Sequence, residues 1–197
     1  MIRNFIVTAW RNLAKHKVFS FINVFGLAIG IASCLLILQY VRFERSYDNF
    51  QENGARIFRL QQNRYNEGKL STQWAAGAAG VGRAVKDDVP EVEAYAKLVK
   101  TGGVISYGDK KLREEKMYYA NDAFVPMFSY KVLQGKREGA LADPNTAVIT
   151  ESTAKKYFGS EDPVGKVFSR NKEDDYKVTA VVADLPQNTH LKFDILL

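Results

Sequence analysis

Cysteine occurs once in this chain, as Cys34 inside an apolar run, so one copy has no means of building a disulfide frame or a thiolate metal site. An exported domain made from it has to hold together by its core. Histidine is almost as scarce. His16 lies on a basic N-terminal flank and His190 stands by itself near the end, so no Ser-His-Asp triad or histidine metal site assembles in the polar part of the chain. Acidic residues are missing from residues 1–17, which carry Arg3, Arg11, Lys15 and Lys17, and charge of either sign is missing from Val18 to Val41. Internal repeats and low-complexity linkers are missing too, which leaves a globular domain with a membrane segment as the expected class.

The uncharged run "VFSFINVFGLAIGIASCLLILQYV" is long enough, at roughly 36 Å as a helix, to cross a hydrocarbon core of about 30 Å with some tilt. It is expected to be a spanning helix. The chain holds 28 basic and 22 acidic residues, an excess that invites a nucleic-acid reading until it is located. Residues 42–197 carry 24 basic against 22 acidic, so the basicity is a topology signal and nucleic acid is not an expected partner. By the positive-inside rule the flank stays cytoplasmic and residues 42–197 go to the far side of the membrane. That polar part is the size of one domain, with room for a small lobe. The sequence "IASC" (Ile31 to Cys34) resembles a lipoprotein cleavage site, but "LLILQYV" continues the apolar run past it and the basic segment is longer than a usual signal n-region.

Three segments follow from this: residues 1–17 as a cytoplasmic amphipathic helix, 18–41 as the span and 42–197 as an extracytoplasmic domain. In the first, Ile2, Phe5, Ile6, Trp10 and Leu13 recur at helical spacing with polar residues between them. Trp10, Arg11, Lys15 and Lys17 suit the membrane interface, where an indole sits at headgroup level and cations meet anionic lipid; packing on protein is the other reading. Within the span, Gly26 and Gly30 form a small-xxx-small pattern that lets another helix approach closely, or are incidental glycines.

Beyond the span, a strand is expected from Arg56 and a helix over "STQWAAGAAGVGRAVKDDVPEV", capped at Ser71 or Thr72 and closed by Pro90. Strands are expected at "VEAYAKLVK", "GGVISYG", "KKLREEKMYYA" and "YKVLQG". "NTAVITESTAKKYFG" reads as a strand entering a helix that stops at Gly159. "GKVFSR" and "YKVTAVVADLP" read as strands joined by a polar turn, and the chain stops on the apolar run "HLKFDILL", as if inside an element. The fold class is α+β: an amphipathic helix and a transmembrane helix, then a mixed domain with a largely antiparallel set of strands.

Chemistry is hard to find. "GAAGVG" has the order GxxGxG within an expected helix and not GxGxxG after a strand, and "VGK" lacks the rest of a phosphate loop, so nucleotide binding is not encoded. The acidic runs "KDDVPEVE" and "KEDDY" read as solvated turns, not as a glycosidase pair. Tyr118, Tyr119, Phe124, Phe128 and Tyr130 would line a groove or, as aromatics more often do, pack a core. No catalytic residue, cofactor or metal is expected.

Four stretches in order, "NFIVTAWRNLAKHKVFSFINVFGLAIGIASCLLI", "SYDNFQENGARIFRL", "VITESTAKKYFGSEDPVGKVF" and "VVADLPQNTHLKFDILL", resemble the N-terminal part of MacB/FtsX-type ABC transporter permeases. The resemblance covers nearly the whole chain. Tyr47, Asp48, Phe50, Arg56, Gly159, Pro163, Gly165, Asp184 and Pro186 stand at its motif positions, and their residue types read as turns and element ends. The resemblance implies a non-catalytic permease subunit in a bacterial inner membrane. Its partners would be a cytoplasmic ABC-type ATPase, a second permease half in a homodimer or pseudo-dimer, membrane lipid, and a periplasmic adaptor or outer-membrane protein. It would couple ATP hydrolysis to export or extraction of a peptide, drug or lipoprotein, which makes the chain a fragment of a longer permease. The alternative is a single-span receptor or adaptor with a ligand-binding extracytoplasmic domain.

Overall fold

The computed structural model describes residues 2–197, and the chain divides into two units, Met1–Tyr47 and Asp48–Leu197. The first unit is two helices, α1 (Ile2–Lys15) and α2 (Lys17–Arg45). They are separate because His16 leaves helical geometry, at φ −110° and ψ 58°. The joint is bridged by the Ser20 hydroxyl, which donates to the Leu13 carbonyl at 3.1 Å. Among the described residues α2 is the one helix long and apolar enough to cross a membrane. Arg42 and Arg45 sit in its last turn, where cations oppose the partial negative charge of the helix end.

The second unit is built on a seven-stranded sheet. Its strands are β3 (Leu98–Tyr107), β4 (Lys110–Ala120), β5 (Val132–Gly135), β6 (Thr146–Thr150), β7 (Val167–Arg170), β8 (Asp174–Val182) and β9 (Ile195–Leu196), in the order β5-β8-β6-β9-β4-β3-β7. Because β7 pairs with both β3 and β8, six of the strands close into a ring, and β5 occupies what remains of the β8 edge. The pairs β6–β8 and β4–β9 are parallel and the rest antiparallel, so the sheet is more mixed than the expected antiparallel set. The closing run "HLKFDILL" supplies β9, which lies between β6 and β4 in the middle of the sheet.

Alternation along these strands separates two apolar clusters. One collects Ile105, Met117, Ile149, Phe168, Val178 and Ile195, one residue from each ring strand, and is covered by Tyr157 and Phe158 of helix α5 (Glu151–Phe158). The other gathers Phe124, Tyr130, Val148, Val182, Phe193 and Leu196, with Phe124 on a short helix α4 (Phe124–Met127). Strand β6 serves both clusters by plain alternation, Ala147 and Ile149 in one and Val148 in the other, whereas β8 changes sides where the register slips: Ala147 faces Val178 but Val148 faces Ala180. The skipped residue is Thr179, whose hydroxyl lies 2.6 Å from the Ala140 carbonyl and 3.0 Å from that of Ala147. A bulge there reverses the alternation, so Tyr176 and Val178 join the first cluster and Ala180 and Val182 the second.

Polar residues fix the ends. Helix α5 starts with Thr150 accepting from the Thr153 amide and with Asp184 accepting from the amide and the hydroxyl of Ser152, at 2.9 and 2.5 Å. It stops at Gly159, whose φ of 67° is left-handed. The buried Glu114 carboxylate accepts from Lys156 Nζ at 2.5 Å and Tyr157 Oη at 2.6 Å, tying β4 to α5. Burial first, and then the Glu114 bond and charge, push the Tyr157 phenol well above its ordinary range. Where β3 bulges, Arg170 donates to the Thr101 hydroxyl at 2.9 Å, the Gly102 carbonyl at 2.9 Å and Tyr119 Oη at 2.7 Å, and so holds the β3–β7 seam of the ring.

Residues 54–97 depart most from expectation. Gly54–Arg56 is a short 3-10 turn, and the strand expected from Arg56 begins only at β1 (Gln62–Asn66). Ser71 and Thr72 do not cap a helix: they belong to β2 (Lys69–Trp74), which pairs with β1. The cause is the turn Asn66–Lys69, where Glu67 and Gly68 both take positive φ, 49° and 76°, as a two-residue hairpin turn demands. The helix α3 starts later, at Val81–Asp88. "LVK" and "GGVISY" form one strand, β3, because pairing with β4 skips Gly102 at a bulge and resumes at Gly103.

Gly135 is the tightest point of the sheet. Its φ is 84°, and a Cβ placed there would lie 2.2 Å from the Thr179 carbonyl oxygen and 2.8 Å from the Ala180 Cα. Both obstacles are backbone, so no side-chain rotation relieves them. We expect Gly135→Ala to lower stability by about 3 kcal/mol, measured by urea unfolding of the chain in detergent, whereas Gly139→Ala, at φ 72° with open space around it, should lose only about 1 kcal/mol.

Candidate functional site

The residues that follow the span form a strap on the domain. Ser46 to Phe50 turn sharply, with Asp48 in the left-handed region at φ 57°. A non-glycine residue persists there only if its surroundings hold it. They do: the Asp48 amide donates to the Asn188 carbonyl at 3.0 Å, Thr189 Oγ1 donates to Asp48 Oδ1 at 2.6 Å, and the His190 ring Nδ1 lies 2.6 Å from Asp48 Oδ2. Thr189 is 1% exposed, so its end of the clasp is fixed.

A second fastening lies one turn on. The Ser129 amide donates to Gln51 Oε1 at 2.7 Å, and the Glu52 amide donates to Ser129 Oγ at 3.0 Å. Between the two, Phe50 packs toward Tyr130 with ring centres 6.1 Å apart, reaching the cluster of Phe124, Phe128 and Phe193. Arg137 braces this wall from behind, donating to the carbonyls of Phe128 at 3.1 Å and Tyr130 at 2.6 Å. An open cleft of about 250 Å³ runs between strap and domain, lined by Asp48, Gln51, Gly54, Ile57, Phe128 and Leu191.

Partial burial alone would raise the Asp48 carboxyl, but the bonds from Thr189 and His190 and the charge of His190 outweigh it, so the carboxyl sits below its ordinary range. Behind it, burial and the Asp48 charge push the Tyr130 phenol up, and its buried hydroxyl has no hydrogen-bond partner. Nothing in this arrangement activates a nucleophile. Asp48 and His190 are engaged with the strap itself, Ser152 and Asp184 form a helix cap, and among the described residues no cluster has the makings of a metal site. The arrangement fastens the residues that follow α2 to two loops of the domain.

The structure distributes the motif residues by role. Asp48 and Phe50 belong to the strap, while Tyr47 closes the first unit with its ring edge-on to Phe43 at 5.4 Å. Arg56 pairs with Glu93 at the surface. Gly159, Pro163 and Gly165 end α5 and lead to β7, the Gly165 amide donating to the Val178 carbonyl at 2.7 Å. Asp184 caps α5, and Pro186 lies in the loop after β8. Gly26, Gly30 and the interface set Trp10, Arg11, Lys15 and Lys17 lie in the first unit, exposed on α1 and α2. Sequence reading passed over Gln51, Ser129, Thr189 and His190. His190 counts as isolated along the chain because its partner is 142 positions away.

The clasp has a pH signature. A carboxyl held below its unfolded value contributes stability that is present above that value and is lost as pH falls through the folded one. Replacing Asp48 by Asn should therefore lower stability by about 1 kcal/mol at neutral pH. Unfolding followed from pH 7 downward should show the difference between the two proteins shrinking below the ordinary carboxylate range; a constant difference would mean that Asp48 acts through its backbone alone.

Comparison with known proteins places this geometry. The MacB-like periplasmic core domain family matches residues 20–197. The macrolide export ATP-binding/permease protein MacB of Chlorobium phaeobacteroides is 22% identical over 180 residues, which are 85% of this chain and 27% of that protein. The chain thus spans about a quarter of the length of this curated relative. A domain of a protein classed as a permease from Porphyromonas gingivalis has 28% identity and a TM-score of 0.55, covering 64% of this chain and 58% of that domain. The periplasmic region of MacB from Actinobacillus actinomycetemcomitans has 22% identity and a TM-score of 0.43, over 53% of this chain and 47% of that one. With a family match that runs from within α2 through β9, the chain belongs to the MacB-like periplasmic core domain family.

Proposed function

We propose that this chain is the N-terminal part of an ABC transporter permease of the bacterial inner membrane, with its N-terminus cytoplasmic and residues 42–197 periplasmic. The observation that carries the reading is the strap: in a chain of this family, the residues directly after a spanning helix are fastened to the domain at Asp48 and at Gln51–Glu52. Movement of the span reaches the domain through this segment. A nucleotide-driven ATPase in the cytoplasm supplies that movement, and the domain acts on the substrate without catalysing a reaction of its own.

Partners follow from the same reading: an ABC-type ATPase, a second permease half in a homodimer or pseudo-dimer, and a periplasmic adaptor or outer-membrane protein. The substrate class remains peptide, drug or lipoprotein. The basic flank without acids supports the orientation, since such flanks resist translocation.

Tagging the native gene and isolating its product from membranes tests this. A product several times larger than 22.2 kDa that brings an ABC ATPase with it is expected. A product of that mass with no ATPase would replace the permease by a single-span receptor. In the coupled complex, Asp48→Asn should leave ATP hydrolysis unchanged and reduce transport about tenfold, the equivalent of one weakened charge-assisted hydrogen bond.

A further inference from the structure

The geometry points to a binding site for anionic phospholipid at the inner corner where α1 meets α2. The corner encloses about 310 Å³ and is lined on its polar side by Asn12, His16, Ser20 and Asn23, with Phe19 and Val24 beside them. Ser20 has committed its hydroxyl to the Leu13 carbonyl. That leaves two amides and an imidazole facing one hollow.

Depth assigns the polar groups to the lipid. The uncharged run Val18–Val41 fills the hydrocarbon core, so Asn12, Lys15, His16 and Lys17 fall in the headgroup layer. Asn23 lies roughly one turn below the boundary, within reach of acyl ester carbonyls. A phosphodiester in the corner accepts from Asn12 and from a His16 ring N–H, and an acyl chain runs down past Phe19 and Val24. Helix α1 is shaped for the same surface: Asn4, Thr8, Arg11 and Lys15 share one face, and Phe5 and Trp10, 77% and 73% exposed, lie on the other side.

Charge decides between lipid and another protein helix. From the N-terminus the first acidic residue is Glu44, at the far end of α2, so Arg3, Arg11, Lys15 and Lys17 have no carboxylate on their side of the span. An anionic headgroup supplies the missing charge, and each cation near such a surface strengthens association about fivefold. The site depends only on α1 and α2, so it stands or falls separately from the permease reading.

The test uses the full chain in phosphatidylcholine bilayers, with the association of spin-labelled phosphatidylglycerol compared with that of spin-labelled phosphatidylcholine by electron paramagnetic resonance. The wild type is expected to prefer phosphatidylglycerol at least fivefold, and the pair Lys15→Gln with Lys17→Gln to lose most or all of that preference. The pair Asn12→Leu with Asn23→Leu keeps every charge and makes the corner more apolar, so it still inserts; it should lower the preference several-fold. No preference in the wild type overturns the site. A preference that the two leucine substitutions leave unmoved also overturns it, leaving only diffuse attraction to a basic surface. A disulfide between two copies carrying Asn12→Cys in a Cys34→Ser background would show a second chain in the corner, and would overturn it likewise.

Discussion

Strand β8 has to satisfy two edges and two cores at once, and the domain is arranged around how it does so. One edge takes β6 along Lys177–Val182; the other takes β7 at Asp174–Lys177 and then β5 at Ala180–Val182. A regularly alternating strand would turn Tyr176, Val178, Ala180 and Val182 to one side. The bulge at Thr179 divides them between the two clusters, and Gly135 is the residue that tolerates the displaced Thr179 carbonyl. Ring closure through β7 needs the same strand to begin on its other partner, which is why Arg170 and the β3 bulge sit where they do.

The strap inherits its rigidity from this sheet. Thr189 and His190 belong to the loop that joins β8 to β9, and Ser129 to the short connection between α4 and β5. Both loops are pinned at each end to strands or to the Phe124 cluster, so the anchors for Asp48 and Gln51 cannot drift independently. Asp48 illustrates the energetics: its backbone is held in an unfavourable region by a carboxylate that replaces lost water with bonds from Thr189 and His190. The polar bonds are concentrated within the first few residues after α2.

The first unit presents a different kind of surface. Its side chains face outward along the whole of α2, and apolar residues surround that helix on every side except the line of small and polar residues that continues upward from the corner. In water such a surface would be unstable; in a bilayer it is the expected state. The break at His16 separates an amphipathic helix from an apolar one.

Much of this was legible in the residues. The long apolar helix follows from an uncharged run whose length matches a membrane, and β4, β6, α5, β7 and β8 follow from strand patterning and the Gly159 stop, because those signals act within a few residues of one another. The β1–β2 hairpin was missed because two residues at positive φ, Glu67 and Gly68, outweighed the helix-cap appearance of Ser71 and Thr72. The closing of the ring, the bulge at Thr179 and the clasp of Asp48 on Thr189 and His190 join residues that are far apart in the chain. Sequence alone determined which segment is long and apolar enough to cross a membrane and which segments fold into α+β structure, since hydrophobic periodicity and turn chemistry are local. Only the tertiary structure decided where the strap is fastened, since hydrogen bonds across 141 positions exist only after the strands have brought their loops together.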